Sequence, residues 1–479
     1  MNNSKVIKII SKLSNKELGD FSAYLASPYF NKNTILFNIV EVILSFKTNF
    51  DDPKLTHDYV MKSVYSKENR KIDRLRNDMT LIFKHLKQFM AFEEIRASDI
   101  QTDLALLSAL QNKEMNTLFE KESDHIKSTL SESKEPQKDL YQFQFYDELD
   151  KFFLSKRTRV YDENLQLKMD ALDSYYLTVK LREACEMLNR NAIYQKQYQL
   201  GLSKFLDDFL ANEPLDLYNS TIRIYYATYK MLKSNERSDF EYLLNLLETD
   251  TEDIPAEQVR ELYIHAQNFC TRNINKGNKE YFNDMFNIFQ KLISNNLLMV
   301  DGFIPHTTYK NVVTVALNIE ENEWVQNFIE SHKANLKEDV RESAYSYNLA
   351  KYNYEVGLID EAVQLLQSVH YEDDYYQIDA RYLLLKIFYE TDEHESLLYY
   401  IDAFKLYLKR NKDFNIDTRE LIITFLKLLR KTAILKHRKP YLNKSDFQLR
   451  YKKLENQFID NQNIPYRKWM ETILQDLNK

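Results

Sequence analysis

An all-α protein built from stacked helical hairpins is the fold class this sequence predicts, and three observations predict it. Apolar residues recur at spacings of three and four almost throughout, as in Ile35, Ile39, Val42, Ile43 and Phe46, while the alternation of a half-buried strand is nearly absent. Glycine is scarce: Gly19, Gly201, Gly277, Gly302 and Gly357 are the five in 479 residues. Sheets with tight hairpins, and loops that bring backbone against a phosphate, both need the positive φ or missing Cβ that glycine supplies. Third, one block recurs 35 residues on: Tyr347, Leu349, Lys351, Tyr354 and Glu355 return as Tyr382, Leu384, Lys386, Tyr389 and Glu390. A helical pair repeated at that period reads as a solenoid, in which each unit buries its face only against its neighbours.

A chain of 479 residues exceeds the size at which one core keeps growing, so it must divide or extend by repetition. Its hydrophobic share of 44% coexists with a mean hydropathy of -0.54. Much of the apolar surface is carried by 34 Tyr, which bury a ring and keep a polar tip. Two cysteines, Cys185 and Cys270, can build neither a disulfide framework nor a four-thiolate metal site, which suits a reducing compartment. The apolar patch from Val6 to Ile10 is too short and interrupted for a secretory signal. No run approaches the roughly 20 apolar residues of a membrane span. The expectation is a cytoplasmic protein that does not insert into membranes.

Taken in order, the elements begin with Ser14, whose partner Glu17 three residues on makes a capping-box start. Breaks follow at Ser27-Pro28 and Asn49 to Pro53, before a long helix from Glu68 to Ile95. Residues 1–97 are read as an N-terminal helical module with a soft boundary near Arg96 to Asp99. From 98 to 479 the segments are helix-sized, roughly 12 to 22 residues, with short links that force antiparallel neighbours. Polar breaks at Ser131 to Pro136, Thr249 to Pro255 and Asp301 to Pro305 punctuate them. Leu262 to Ile293 and Tyr309 to Phe328 fit helical hairpins. The clearest repeats lie at 343–410, where second helices from Asp360 to Val369 and from Glu393 to Leu408 follow breaks at Gly357 and Asp392. Ser445 with Gln448 reads as another capping box, inside a basic helical cap at 427–479.

Around the repeat the residues resemble a tetratricopeptide repeat. Leu349 and Ala350 fall at that motif's Leu-Gly pair, Gly357 at its turn glycine, Ala362 at the small residue of its second helix and Leu366 at the next large apolar position. Ser346 stands where Trp is usual and Asn353 where Tyr is usual, and the following unit has Leu385 and Asp392 at the two glycine-like positions. The resemblance implies a right-handed superhelical α-solenoid of antiparallel helix pairs whose first helices line a concave surface. A second resemblance, carried by Ser27-Pro28-Tyr29-Phe30-Asn31 and by Leu172 to Arg190, is to an uncharacterised bacterial family of long all-helical proteins. It implies the same architecture and no activity.

No chemistry-bearing motif appears: there is no Gly-x-Gly-x-x-Gly, no Gly-Lys-Ser/Thr loop and no His-Glu-x-x-His. None of the nine His lies three or four residues from another, the spacing helical chelation needs. His394, between Glu393 and Glu395, reads as part of an exposed first helical turn, and Cys185, between Leu181 and Leu188, as a small core residue. Asp207-Asp208 and Asp373-Asp374 read as surface charge, because paired catalytic carboxylates face each other across a cleft. A non-enzymatic chain without metal or cofactor is expected.

Charge is more informative. Residues 427–453 hold Lys427, Arg430, Lys431, Lys436, Arg438, Lys439, Lys444, Arg450, Lys452 and Lys453 against Asp446 alone, net +9 in a chain of net -7. A shorter basic stretch, 67–87, carries Lys67, Arg70, Lys71, Arg74, Arg76, Lys84 and Lys87 against Glu68, Asp73 and Asp78. The predicted function is a protein- or peptide-binding scaffold. On it Tyr347, Lys351, Tyr354, Tyr382, Lys386 and Tyr389 form a Lys ladder framed by aromatic rings, suited to an acidic segment. The alternative is nucleic-acid binding through the two basic stretches, with Lys436, Arg438, Lys439, Arg450, Lys452 and Lys453 on phosphates.

Overall fold

The computed structural model describes residues 4–67, 71–135, 137–156, 161–192, 197–212, 218–368, 374–410 and 416–479. Glu68 and Arg70, Pro136, Val369 and Asp373 lie outside the described residues. Among those described, strand pairing is limited to one bridge between Val300 and Phe303, and everything else is helix or connection. No helix of these residues is long and apolar enough to cross a membrane. The chain divides into two compact units, residues 1–183 with 214–222, and residues 184–213 with 223–479.

The first unit contains α1 (Lys5–Ile10), α2 (Asn15–Ala26), α3 (Thr34–Leu44), α4 (His57–Val64), α5 (Ile72–Arg96), α6 (Asp99–Asn112), α7 (Asn116–Glu132), α8 (Lys138–Ser155) and most of α9 (Asn164–Asn191). The capping box is present in full. The Glu17 amide donates to Ser14 Oγ and the Ser14 amide donates to Glu17 Oε2 at 2.7 Å, satisfying two orphan amides at the start of α2. α2 stops at Ala26, ahead of Pro28. Buried Asn31 then closes the loop by donating to the Leu25 carbonyl and accepting from the Asn33 amide, both at 2.9 Å. One apolar cluster runs from Val6 to Phe89 across α1–α5, and a second from Ile100 to Phe152 across α6–α8. α8 and α9 are tied by Lys168, which pairs with Asp147 and Asp150.

The second unit holds the rest of α9, then α10 (Ser203–Asn212), α11 (Ser220–Ser234), α12 (Arg237–Thr249), α13 (Ala256–Asn275), α14 (Tyr281–Ser294), α15 (His306–Asn318), α16 (Asn322–His332), α17 (Glu338–Glu355), α18 (Ile359–Ser368), α19 (Asp374–Glu390), α20 (His394–Arg410), α21 (Ile416–Arg438), α22 (Lys444–Ile459) and α23 (Arg467–Asn478). Here α13 packs on α14, α14 on α15, α15 on α16 and so on to α21 on α22, and alternate helices also meet, α15 with α17 and α17 with α19. Ala316, Ala350 and Ala362 are fully buried, letting helix axes approach where a larger side chain would hold them apart. α22 starts two residues earlier than its sequence suggests. Asn443, not Ser445, is the cap, accepting from the Asp446 amide at 2.9 Å, and Ser445 sits inside the first turn.

One C-terminal cap recurs. In α17 the Leu358 amide reaches back to the Asn353 carbonyl and the Gly357 amide to the Tyr354 carbonyl, the paired bonds of a Schellman motif with Gly357 at φ +87°. The same long bond closes α6, α13, α14, α15 and α19. The left-handed residue is Gly277 in α13 but Glu114, Asn296, Glu320 and Asp392 in the others. Side chains other than glycine thus carry most of these reversals, which is how so few glycines serve so many hairpins.

Candidate functional site

The repeated block lies on α17 and α19. Acids Glu338 and Asp339 occupy the first turn of α17, where they complement its dipole, and the Gly357 cap ends it. Tyr347, Lys351 and Tyr354 therefore share one face at helical spacing. α19 presents Tyr382, Lys386 and Tyr389 in the same way.

The rings do more packing than the sequence suggests. Tyr347, Tyr382 and Tyr389 are 3%, 6% and 6% exposed. Tyr347 lies against Tyr376 at 5.3 Å. Tyr382 packs on Phe404, Phe425 and Tyr466, the last at 4.7 Å, and Tyr389 on Trp469 of α23 at 5.6 Å. These three faces are occupied from within, so they cannot also wall a ligand. Tyr354 alone stays half-exposed; its hydroxyl donates to Glu390, which also accepts from Trp469 Nε1 at 2.9 Å. Burial and the Glu390 bond both push the Tyr354 phenol up.

The lysines are the unusual feature. Lys351 is half-buried and its ammonium donates to Thr314 Oγ1 of α15 at 2.7 Å; among the described residues it has no carboxylate partner within ion-pair distance. Its pKa is pushed down to about 8, first by burial and then by Lys310, against the pull of Glu355 and Asp379. Lys310 of α15 pairs with Asp379 of α19 and lies 5.7 Å from the Tyr347 ring centre. Lys386 stands 4.7 Å over the Tyr354 ring. Three ammoniums thus share α15, α17 and α19 with Asp379, which pairs with Lys310, and with Glu355 and Glu390 at the ends of α17 and α19.

Beside Thr314 opens a depression of about 240 Å³ whose polar lining includes Gln267, Asn268, Thr271 and Asn311. Gln267 Nε2 is buried beside it and has no hydrogen-bond partner among the described residues, which costs free energy. Sequence reasoning missed Lys310, Thr314, Asp379 and these amides, because nothing in their local spacing marks them.

Elsewhere the expected positions divide. Lys436 pairs with Asp392 and donates to the Tyr389 carbonyl; Lys439 donates to the Leu477 carbonyl at 2.8 Å and covers Phe447. Arg438, Arg450, Lys452 and Lys453 are exposed. His394, half-buried at the start of α20, stacks on His437 at 4.2 Å with rings 7° apart, and its pKa is lowered by burial and then by that neighbour. No metal-holding group of three acids, His or Cys occurs among the described residues. Cys185 is fully buried, its thiol donating to the Tyr225 carbonyl at 3.5 Å, and burial pushes its pKa up. Asp207 accepts from Tyr229 and Lys233, while Asp208 is exposed. Set against known proteins, the chain matches no family model, no curated protein and no solved structure.

Proposed function

We propose that the chain is a non-enzymatic binding scaffold whose α13, α15, α17 and α19 form the ligand-facing side of a right-handed, tetratricopeptide-like stack, and that the ligand is an acidic peptide segment. The observation that carries this reading is Lys351, a half-buried ammonium held by one neutral hydroxyl beside two further lysines. A carboxylate entering there gains charge-assisted bonds and relieves the repulsion among them. The amides of Gln267, Asn268 and Asn311 supply donors and acceptors for the main chain of the same segment. Lys351, Lys386 and Tyr354 are its ligand-facing residues, and Tyr347, Tyr382 and Tyr389 support them from below.

A synthetic peptide array graded in Asp and Glu content tests this. Retention should rise with acid content and fall roughly tenfold or more when Lys351→Met and Lys386→Met are combined, the scale of losing charged hydrogen bonds. Retention that ignores both lysines removes the reading.

A further inference from the structure

The C-terminal basic segment contains a second site, independent of the Lys351 face. α21 and α22 enclose a groove of about 330 Å³ lined by Lys431, Ile434, Leu435, Arg438, Arg450, Lys453, Leu454 and Gln457, a size at the small end of ligand pockets. Its wall has four cations and no acid. Lys431 donates to Gln457 Oε1 at 2.6 Å, and Arg438, Arg450 and Lys453 have no acidic partner among the described residues. Of the other cations of the segment, Arg430 pairs with Asp402, Lys436 with Asp392, and Lys439 caps the Leu477 carbonyl, while Lys427, Lys444 and Lys452 are exposed outside the groove. The groove therefore gathers four cations on a wall without an acid, a setting that favours an entering anion.

The lining defines what would fit. Two guanidinium forks match a tetrahedral oxyanion bidentately, and a phosphomonoester brings about -1.5 to -2 charges and three acceptor oxygens, where a lone carboxylate brings one charge. Ile434, Leu435 and Leu454 make an aliphatic floor with no ring among the lining residues, so a base finds no stacking platform there. We infer that the α21–α22 groove binds a small organophosphate, a phosphomonoester carried on an apolar body, with Arg438 and Arg450 clasping the phosphate and Ile434 and Leu454 under the body.

Titration calorimetry of the full chain with phenyl phosphate and with inorganic phosphate tests the inference. Phenyl phosphate should bind more tightly than inorganic phosphate. Arg438→Gln and Arg450→Gln should each weaken it about tenfold. Lys444→Gln, an exposed cation of the same segment outside the groove, should change it less than twofold. Circular dichroism of each variant confirms the helices. No binding of phenyl phosphate at millimolar concentration would overturn the inference, and so would equal weakening by all three variants. A single-stranded oligonucleotide that displaces phenyl phosphate and is itself weakened as much by Lys444→Gln as by the arginine variants would also overturn it, in favour of a spread phosphate track.

Discussion

Replacing Lys351 with Met should make the protein more stable at neutral pH. The folded pKa of about 8 against 10.5 for a free lysine means that the fold disfavours the charged form by about 3 kcal/mol. Because the group is half-buried and has carboxylates within reach, the gain on replacement should be about 1–3 kcal/mol. The sign with pH follows from proton counting. Below pH 8 both folded and unfolded chains carry the proton, and the fold bears the full cost. Between 8 and 10.5 the unfolded chain holds a proton that the folded chain has lost, so stability rises with pH through that window. Two assays read this. Competitive acetylation across pH 6–11, followed by mass spectrometry of the Lys351 peptide, gives its titration midpoint, expected near 8. Hydrogen exchange of α17 amides, corrected for intrinsic rate, gives local stability, which should climb from pH 8 to 10 in the natural chain and stay flat in Lys351→Met. A midpoint near 10.5, or parallel stability curves for the two chains, would refute the argument.

Three further outcomes follow from packing and caps. Glu320→Gly should stabilise the α15–α16 hairpin by about 1 kcal/mol, since glycine removes the Cβ penalty at φ +64°; Gly357→Ala should cost a similar amount although its Cβ would meet no atom within 4 Å, and thermal melting reads both. Tyr309→Phe should cost about 1–2 kcal/mol, because its buried hydroxyl donates to the Ile329 carbonyl at 2.9 Å. Tyr382→Phe, whose buried hydroxyl has no hydrogen-bond partner among the described residues, should be neutral or stabilising. Cys185 and Cys270, both enclosed and both with thiol pKa pushed up by burial, should resist a disulfide reagent in the native chain and react fully only in denaturant; one thiol reacting in native buffer would contradict that.

The helical class was legible because 3.6-residue periodicity is a local signal, as was the capping box at Ser14. The ends of α17 and α19 could be read at Gly357 and Asp392, whose preference for turns is intrinsic. Those at Glu114 and Glu320 could not, since glutamate has no such preference and is held at positive φ by the backbone bonds around it. The repeated Lys and Tyr positions were visible, but spacing places a residue on a face without saying whether that face meets water or Trp469. Thr314 lies 37 residues from Lys351, and Lys310 lies 69 from Asp379. Contacts at such separation arise only once the helices have packed. His394 and His437 show the same limit, adjacent in space and silent in sequence.

The neighbour-to-neighbour packing of α13 onward bears on how the chain is made. A ribosome adding about 5–20 residues per second takes roughly 2–7 s to deliver one 35-residue unit, whereas helical contacts of such low sequence separation form in microseconds to milliseconds. Each new hairpin can therefore dock on its predecessor long before the next one emerges, so that little apolar surface waits uncovered during synthesis.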